Sequence, residues 1–355
     1  MEKNNKTKFN IAFLIVCFLL TLFYVFHGQN PKELLGYIQE ADVRYWIAGV
    51  GFIVLYIFMA GVVIFYNLKA LKKESPLSDA SMGHCFLFAF VGFFFNLVTP
   101  LGSGGQPAQM VYMKKDGIPL HISTLIMIII TIAFKSVLVI FGLGVIIIRP
   151  KTIVTLLQPV WFWIYLGMLL NSAVIVGFLM MIYKPDLAKR FIMWCFRKLR
   201  RIARSPKVDS FEVKVNIIMD NYKDAAVYVK SHRNVILNVI WISIVQRIIL
   251  FFTTYLVLKS FGVVDVGIVE AIVLQAMINL STEMLPIPGG MGISEHLFHE
   301  IFLPVCGAAL ITPTMIVSRG LAYYTQLLLS ALLTIVAHFV IVVHKDKKAS
   351  IRKAS

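Results

Sequence analysis

NLSTEMLPIPGGMGISE, residues 279–295, interrupts a long apolar region with two prolines, a Gly-Gly pair and two carboxylates. A continuous helix cannot pass through it. Pro286 and Pro288 lack amide donors and clash with the preceding turn, and Gly289, Gly290 and Gly292 loosen the backbone beyond them. Broken backbone at membrane depth persists only where protein or a water-lined cavity satisfies its polar groups. The competing reading is an extramembrane loop between two short helices.

A second copy of the stretch favours the membrane reading. NLVTPLGSGGQPAQ occupies residues 96–109, and its Asn96-Leu97-Val98-Thr99 lies 183 residues before Asn279-Leu280-Ser281-Thr282. Gly104-Gly105 precedes Gly289-Gly290 by 185, and Lys135 precedes Arg319 by 184, each the lone base in a long apolar helix. Three matches at nearly one offset indicate an internal repeat. Paired Pro/Gly-interrupted apolar segments in two halves point to a transporter-type binding site.

Bulk composition agrees with a membrane class. The chain is 59% hydrophobic and 15% charged, with mean hydropathy +0.81, values outside the range of soluble domains. Cys17, Cys85, Cys195 and Cys306 are too scattered for a disulfide framework or a zinc site, and no metal or cofactor is expected.

Full spans are expected at residues 9–26, 46–66, 121–148, 160–183, 235–258 and 314–344. The first is read as a retained span, because His27-Gly28-Gln29-Asn30 offers no small-residue cleavage site. Residues 83–98 and 266–285 are each followed by a break and a further short apolar or mixed piece. Half-length pieces around a break fit a re-entrant hairpin better than a crossing. The expected fold is therefore an all-α integral membrane protein of six spans and two re-entrant hairpins. Its repeat halves cover about 46–148 and 235–344, within one polytopic domain spanning 1–355.

Residues 184–234 hold 13 Lys/Arg against 5 Asp/Glu. The part at 184–204, with Phe191, Trp194, Phe196 and Leu199 among its bases, has the composition of a helix lying on an anionic inner leaflet, and equally of a solvated basic loop. With both termini and this segment cytoplasmic, the cytoplasmic parts carry 26 bases and 10 acids, which satisfies the positive-inside bias. The hairpins then enter from opposite sides and the halves are inverted copies. The cytoplasmic excess equals the whole net charge of +16, so it serves topology and lipid contact rather than nucleic-acid binding.

The ionisable groups left at membrane depth are Lys135, Arg247 and Arg319 with Glu283 and Glu295. Each costs about 2.5–3.5 kcal/mol on insertion scales, so they should face a shared interior. They can form a structural ion-pair cluster. The excess of base over acid instead favours an anionic guest such as a phosphodiester, which Arg meets with a planar fork and Lys with a point charge. Gly102, Ser103, Gly104, Gly105, Gly289 and Gly290 are expected to turn backbone amides toward that guest. Glu283 and Glu295 can hold a cationic headgroup or exchange protons, and Thr99, Gln106, Thr282, Pro286 and Pro288 complete the candidate site. No Ser/His/Asp triad, metal cluster or nucleotide loop indicates an enzyme, since Gly102-Ser103-Gly104-Gly105 lacks the Gly-Lys-Ser/Thr of a phosphate loop. His84, His121, His296, His299 and His338 are expected at interfaces.

TPLGSGGQPAQMVYMKK, the basic segment, PIPGGMGISE and the Arg319 helix together resemble the lysylphosphatidylglycerol synthase/flippase family over roughly residues 9–344. The resemblance implies a flippase-like domain in the cell membrane that moves phosphatidylglycerol or its aminoacyl form between leaflets, lowering surface charge and conferring resistance to cationic peptides. The family's second motif falls on Pro286, Pro288, Gly289, Gly290, Gly292 and Glu295, with Arg319 in the following helix. Its first motif often carries an acid after Gly-Gly where this chain has Gln106, which argues against a proton-coupling role there. Bifunctional members append a soluble aminoacyl-transferase domain, for which these 355 residues leave no room. The expectation is transport without the synthase reaction. The alternative is a membrane subunit serving a separate aminoacyl-transferase, and a homo-oligomer is also open.

Overall fold

The computed structural model describes residues 36–37, 41–72, 81–99, 102–184, 186–191, 193–194 and 231–343. The expected first span, most of the basic segment and the basic tail lie outside them. Among the described residues the fold is helical, without strands. The long helices are α1 (Val43–Lys72), α4 (Leu120–Ile148), α6 (Trp161–Tyr183) and α7 (Arg233–Ser260). At 1.5 Å per residue even α6 reaches about 35 Å, enough for a hydrocarbon core of about 30 Å.

Between them sit shorter pieces. α2 (Met82–Val98) and α3 (Gly105–Lys115) flank the first break, and α5 is the single turn and a half at Lys151–Leu156. α8 (Ile268–Thr282) precedes the second break, and α9 (Ile293–Arg319) begins beyond it. α9 runs through a π-helical turn, Gly320–Thr325, into α10 (Gln326–Ala337). The helical stretch Ile293–Val342 contains a window apolar enough to span but is not one rod. Gly307 has φ 72° and ψ 165°, outside helical geometry. Residues 293–306 and 308–343 are thus separate arms. The first arm is about 21 Å long, and α2, α3 and α8 are also too short to cross alone. The turn comes three residues before the boundary expected at 310, where Pro304 has already removed an amide donor and glycine permits a positive φ.

Local chemistry explains where the helices stop. Ser81 caps α2 by accepting the His84 amide. α2 ends because Thr99 precedes Pro100, a position held out of the α region; Thr99 is extended at φ −102°, ψ 145°. α9 opens on Gly292 at φ 81°, with the Glu295 carboxylate accepting the Gly292 amide at 2.7 Å.

Packing then places the breaks. α1 lies along α7, α2 packs on α1 and α10, and α8 packs on α7, α4 and α6. One apolar core gathers the second hairpin around Ile53 and Ile57 of early α1 and Leu138 and Val145 of late α4. The other gathers the first hairpin around Val63, Ile64 and Leu68 of late α1 and Ile122–Ala133 of early α4. The two hairpins therefore occupy opposite ends of the same two helices. Lys135 falls between the cores on α4, and Arg247 falls near the middle of α7. His338 is buried against Tyr112, where the last arm packs on α3.

Candidate functional site

Where the two hairpins approach each other they leave a cavity of about 450 Å³. Its wall includes the side chains of Lys135, Arg247 and Arg319, three bases from three separate helices, with Glu283 as the one acid among the lining residues. Gly102, Ser103, Gln106, Thr282, Gly289 and Gly290 also line it. Phe93, Phe134, Val174 and Phe178 make an apolar portion.

Glu283 sits one residue past the end of α8, in the turn before the prolines. Lys135 Nζ donates to its Oε1 at 2.9 Å, and Arg247 Nη2 donates to Oε1 at 3.3 Å and Oε2 at 3.1 Å. Arg247 also lies over the Phe134 ring, 5.3 Å from its centroid. The side chains of Lys135 and Arg247 are 12% and 6% exposed, while Glu283 keeps 27%. One carboxylate therefore serves two well-buried cations, and the triad carries one net positive charge.

Arg319 and Glu295 form a different arrangement. Arg319 Nη1 and Nη2 donate to the Gly289 carbonyl at 3.1 and 3.2 Å, and Nε lies 2.8 Å from Glu295 Oε1. Glu295 Oε2 accepts the Gly292 amide and the Ser294 hydroxyl, the latter at 2.9 Å. Glu295 is thus a helix cap and a brace for Arg319, standing behind the cavity wall. Glu295 is not among the residues that line the cavity.

Four of the expected amide donors, those of Gly102, Gly104, Gly105 and Gly290, are likewise engaged. Thr99 Oγ1 accepts the Gly104 amide at 2.9 Å, and Asn96 Oδ1 accepts the Gly105 amide at 3.1 Å. Gly102 donates to the Thr99 carbonyl and Gly290 to the Ile287 carbonyl. Short turns satisfy their own donors because buried unpaired amides are costly. At those four positions the amide is used within the turn, and side chains face the cavity instead. Thr99, Gly104, Gly105 and Pro286 accordingly build the turns behind the lining, and Pro288 begins the 3-10 turn Pro288–Gly290. Gly289 is required by its surroundings: its φ is 59°, and a Cβ there would overlap the Tyr323 ring.

Several contributors escape a sequence reading. Asn96 and Asn279 head the two matched motifs, and both line the cavity; their place in the repeat was the available signal. Thr131, one turn before Lys135, shares that residue's helix face, and Gln326 lines the cavity from just beyond the π-helical turn that follows Arg319. Gln106 Nε2 donates to Thr131 Oγ1, joining the first hairpin to α4. Asn171 Nδ2 donates to the Leu280 carbonyl at 3.2 Å, where α8 is about to end, and Tyr323 donates to the Leu97 carbonyl at 3.0 Å. Nothing local marks those two.

The family model for the lysylphosphatidylglycerol synthase TM region matches residues 10–330. The chain belongs to that family. It is a membrane-embedded member, in keeping with its apolar helices of spanning length. No curated protein and no solved structure gave a match. The family match takes in both broken motifs, the Glu283 triad and the Arg319–Glu295 brace.

Proposed function

We propose that the protein is a flippase-like transporter that moves an anionic or aminoacylated phospholipid, of the phosphatidylglycerol or lysyl-phosphatidylglycerol type, between leaflets. In this reading the breaks are the tips of two re-entrant hairpins related as inverted repeats, and the cavity receives the headgroup. The cell membrane is its site, with cytoplasmic termini and the basic 184–204 segment on the anionic inner leaflet. The observation that carries the proposal is the convergence of Lys135, Arg247 and Arg319 on one cavity that Glu283 alone among its lining residues offsets. Its volume suits a headgroup, while acyl chains stay in lipid. Arg and Lys supply the donors a phosphate oxygen needs, and placement at mid-helix is where alternating access requires a site.

The test is reconstitution into liposomes carrying labelled phosphatidylglycerol or its lysyl form. Wild type should accelerate transbilayer movement, and Arg247→Gln and Lys135→Gln should reduce it toward the empty-vesicle rate. Equal rates for all three proteins and empty vesicles would refute transport. The synthase in the family's description favours a second reading, a membrane subunit supporting a separate aminoacyl-transferase. That reading expects no transport, and instead more aminoacyl lipid when the chain is added to such a transferase.

A further inference from the structure

Two acids share the cavity region, yet they are held very differently. Glu295 is fixed by the Gly292 amide, the Ser294 hydroxyl and Arg319. Glu283 is held through its carboxylate by Lys135 and Arg247, and among the described residues no backbone amide or hydroxyl anchors that carboxylate. It stands in a turn rather than within a helix, and it is the more exposed member of its triad. The two cations, by contrast, project from the middles of α4 and α7. A carboxylate so placed occupies the position an incoming oxyanion would need.

We propose that Glu283 is the resident counter-anion of the empty cavity, and that an entering phosphate-type oxyanion displaces it from Lys135 and Arg247. This rests on the reading of the cavity as a binding site and adds how its affinity is set. Lys135 and Arg247 would each exchange a carboxylate oxygen for a phosphate oxygen, with no covalent step and no change in the number of paired cations. Without an occupant, two buried bases would face each other unpaired, a costly state. With Glu283 in place that cost is avoided, and the ligand's affinity is lowered by the bonds it must replace.

The experiment measures binding to the purified chain in a neutral detergent, using dihexanoyl-phosphatidylglycerol and inorganic phosphate as separate probes. Glu283→Gln removes the competing charge and should tighten binding by about tenfold or more, the equivalent of a hydrogen bond to a charged group. Arg247→Gln should abolish binding. Because Glu283→Gln leaves two bases unbalanced, the charge-balanced Lys135→Met/Glu283→Gln protein provides a second arm. It should bind at least as tightly as wild type through Arg247 alone. Weaker or unchanged binding in both Glu283 variants would overturn the exchange. If Arg247→Gln still abolished lipid movement in that event, the transport reading would stand without it. Tightening for inorganic phosphate alone would keep the exchange, and would assign the site to free phosphate at the expense of the lipid reading.

Discussion

Replacing Glu283 by Gln keeps the shape of the side chain and removes the carboxylate that bridges Lys135 and Arg247. Both nitrogens bond the same Oε1, at 2.9 and 3.3 Å, so they lie no more than about 6 Å apart. At an effective dielectric near 20 the bare repulsion between them is roughly 3 kcal/mol, and each lost attraction is about 5 kcal/mol before desolvation is subtracted. Removal of one partner from a buried pair realises about 3–5 kcal/mol of destabilisation. The expected result is therefore a marked fall in the thermal unfolding midpoint in detergent. Lys135→Met should cost less, because Glu283 retains Arg247. The double variant should be more stable than the sum of the singles predicts by about 0.5–3 kcal/mol, the range for residues in one network. A midpoint for Glu283→Gln indistinguishable from wild type, or strict additivity in the cycle, would refute the shared-carboxylate account.

Three single contacts carry further expected outcomes. Asn171→Leu should destabilise by about 1–3 kcal/mol, because the Leu280 carbonyl at the end of α8 loses its side-chain donor; chemical denaturation in detergent measures it. Gly289→Ala combines a left-handed φ, disfavoured by about 1–2 kcal/mol for other residues, with overlap on the Tyr323 ring, and should lower the unfolding midpoint more than Gly144→Ala, where nothing lies within 4 Å. Tyr323→Phe removes the bond to the Leu97 carbonyl that ties the last arm to the first hairpin, at a cost of about 1 kcal/mol, and should speed hydrogen exchange at the end of α2.

Much of this molecule is written locally. Apolar run lengths set which helices can span, Pro286, Pro288 and Pro100 set where they break, and the repeated Asn and Gly-Gly motifs mark the two breaks as related. Lys135, Arg247 and Arg319 stand out because a base in the middle of an apolar helix must find an interior. The family is legible in the same motifs, and the structure returns helices close to the expected boundaries at α1, α4, α6 and α7.

The sequence by itself could not tell Glu283 from Glu295. Both are acids flanking one Pro/Gly break, and either could face a guest or cap a helix. Which one meets Lys135, 148 residues from Glu283, depends on how α4 and α7 are rotated against α8, and that rotation is fixed by packing of the two apolar cores. The same holds for the glycine amides, which the sequence offers as donors and which neighbouring Thr99 and Asn96 consume once the turn closes. Local chemistry decides where a chain bends and which charges must be hidden. Only the tertiary arrangement decides which hidden charges meet, because a side chain's partner is set by the orientation of whole helices and not by its neighbours in sequence.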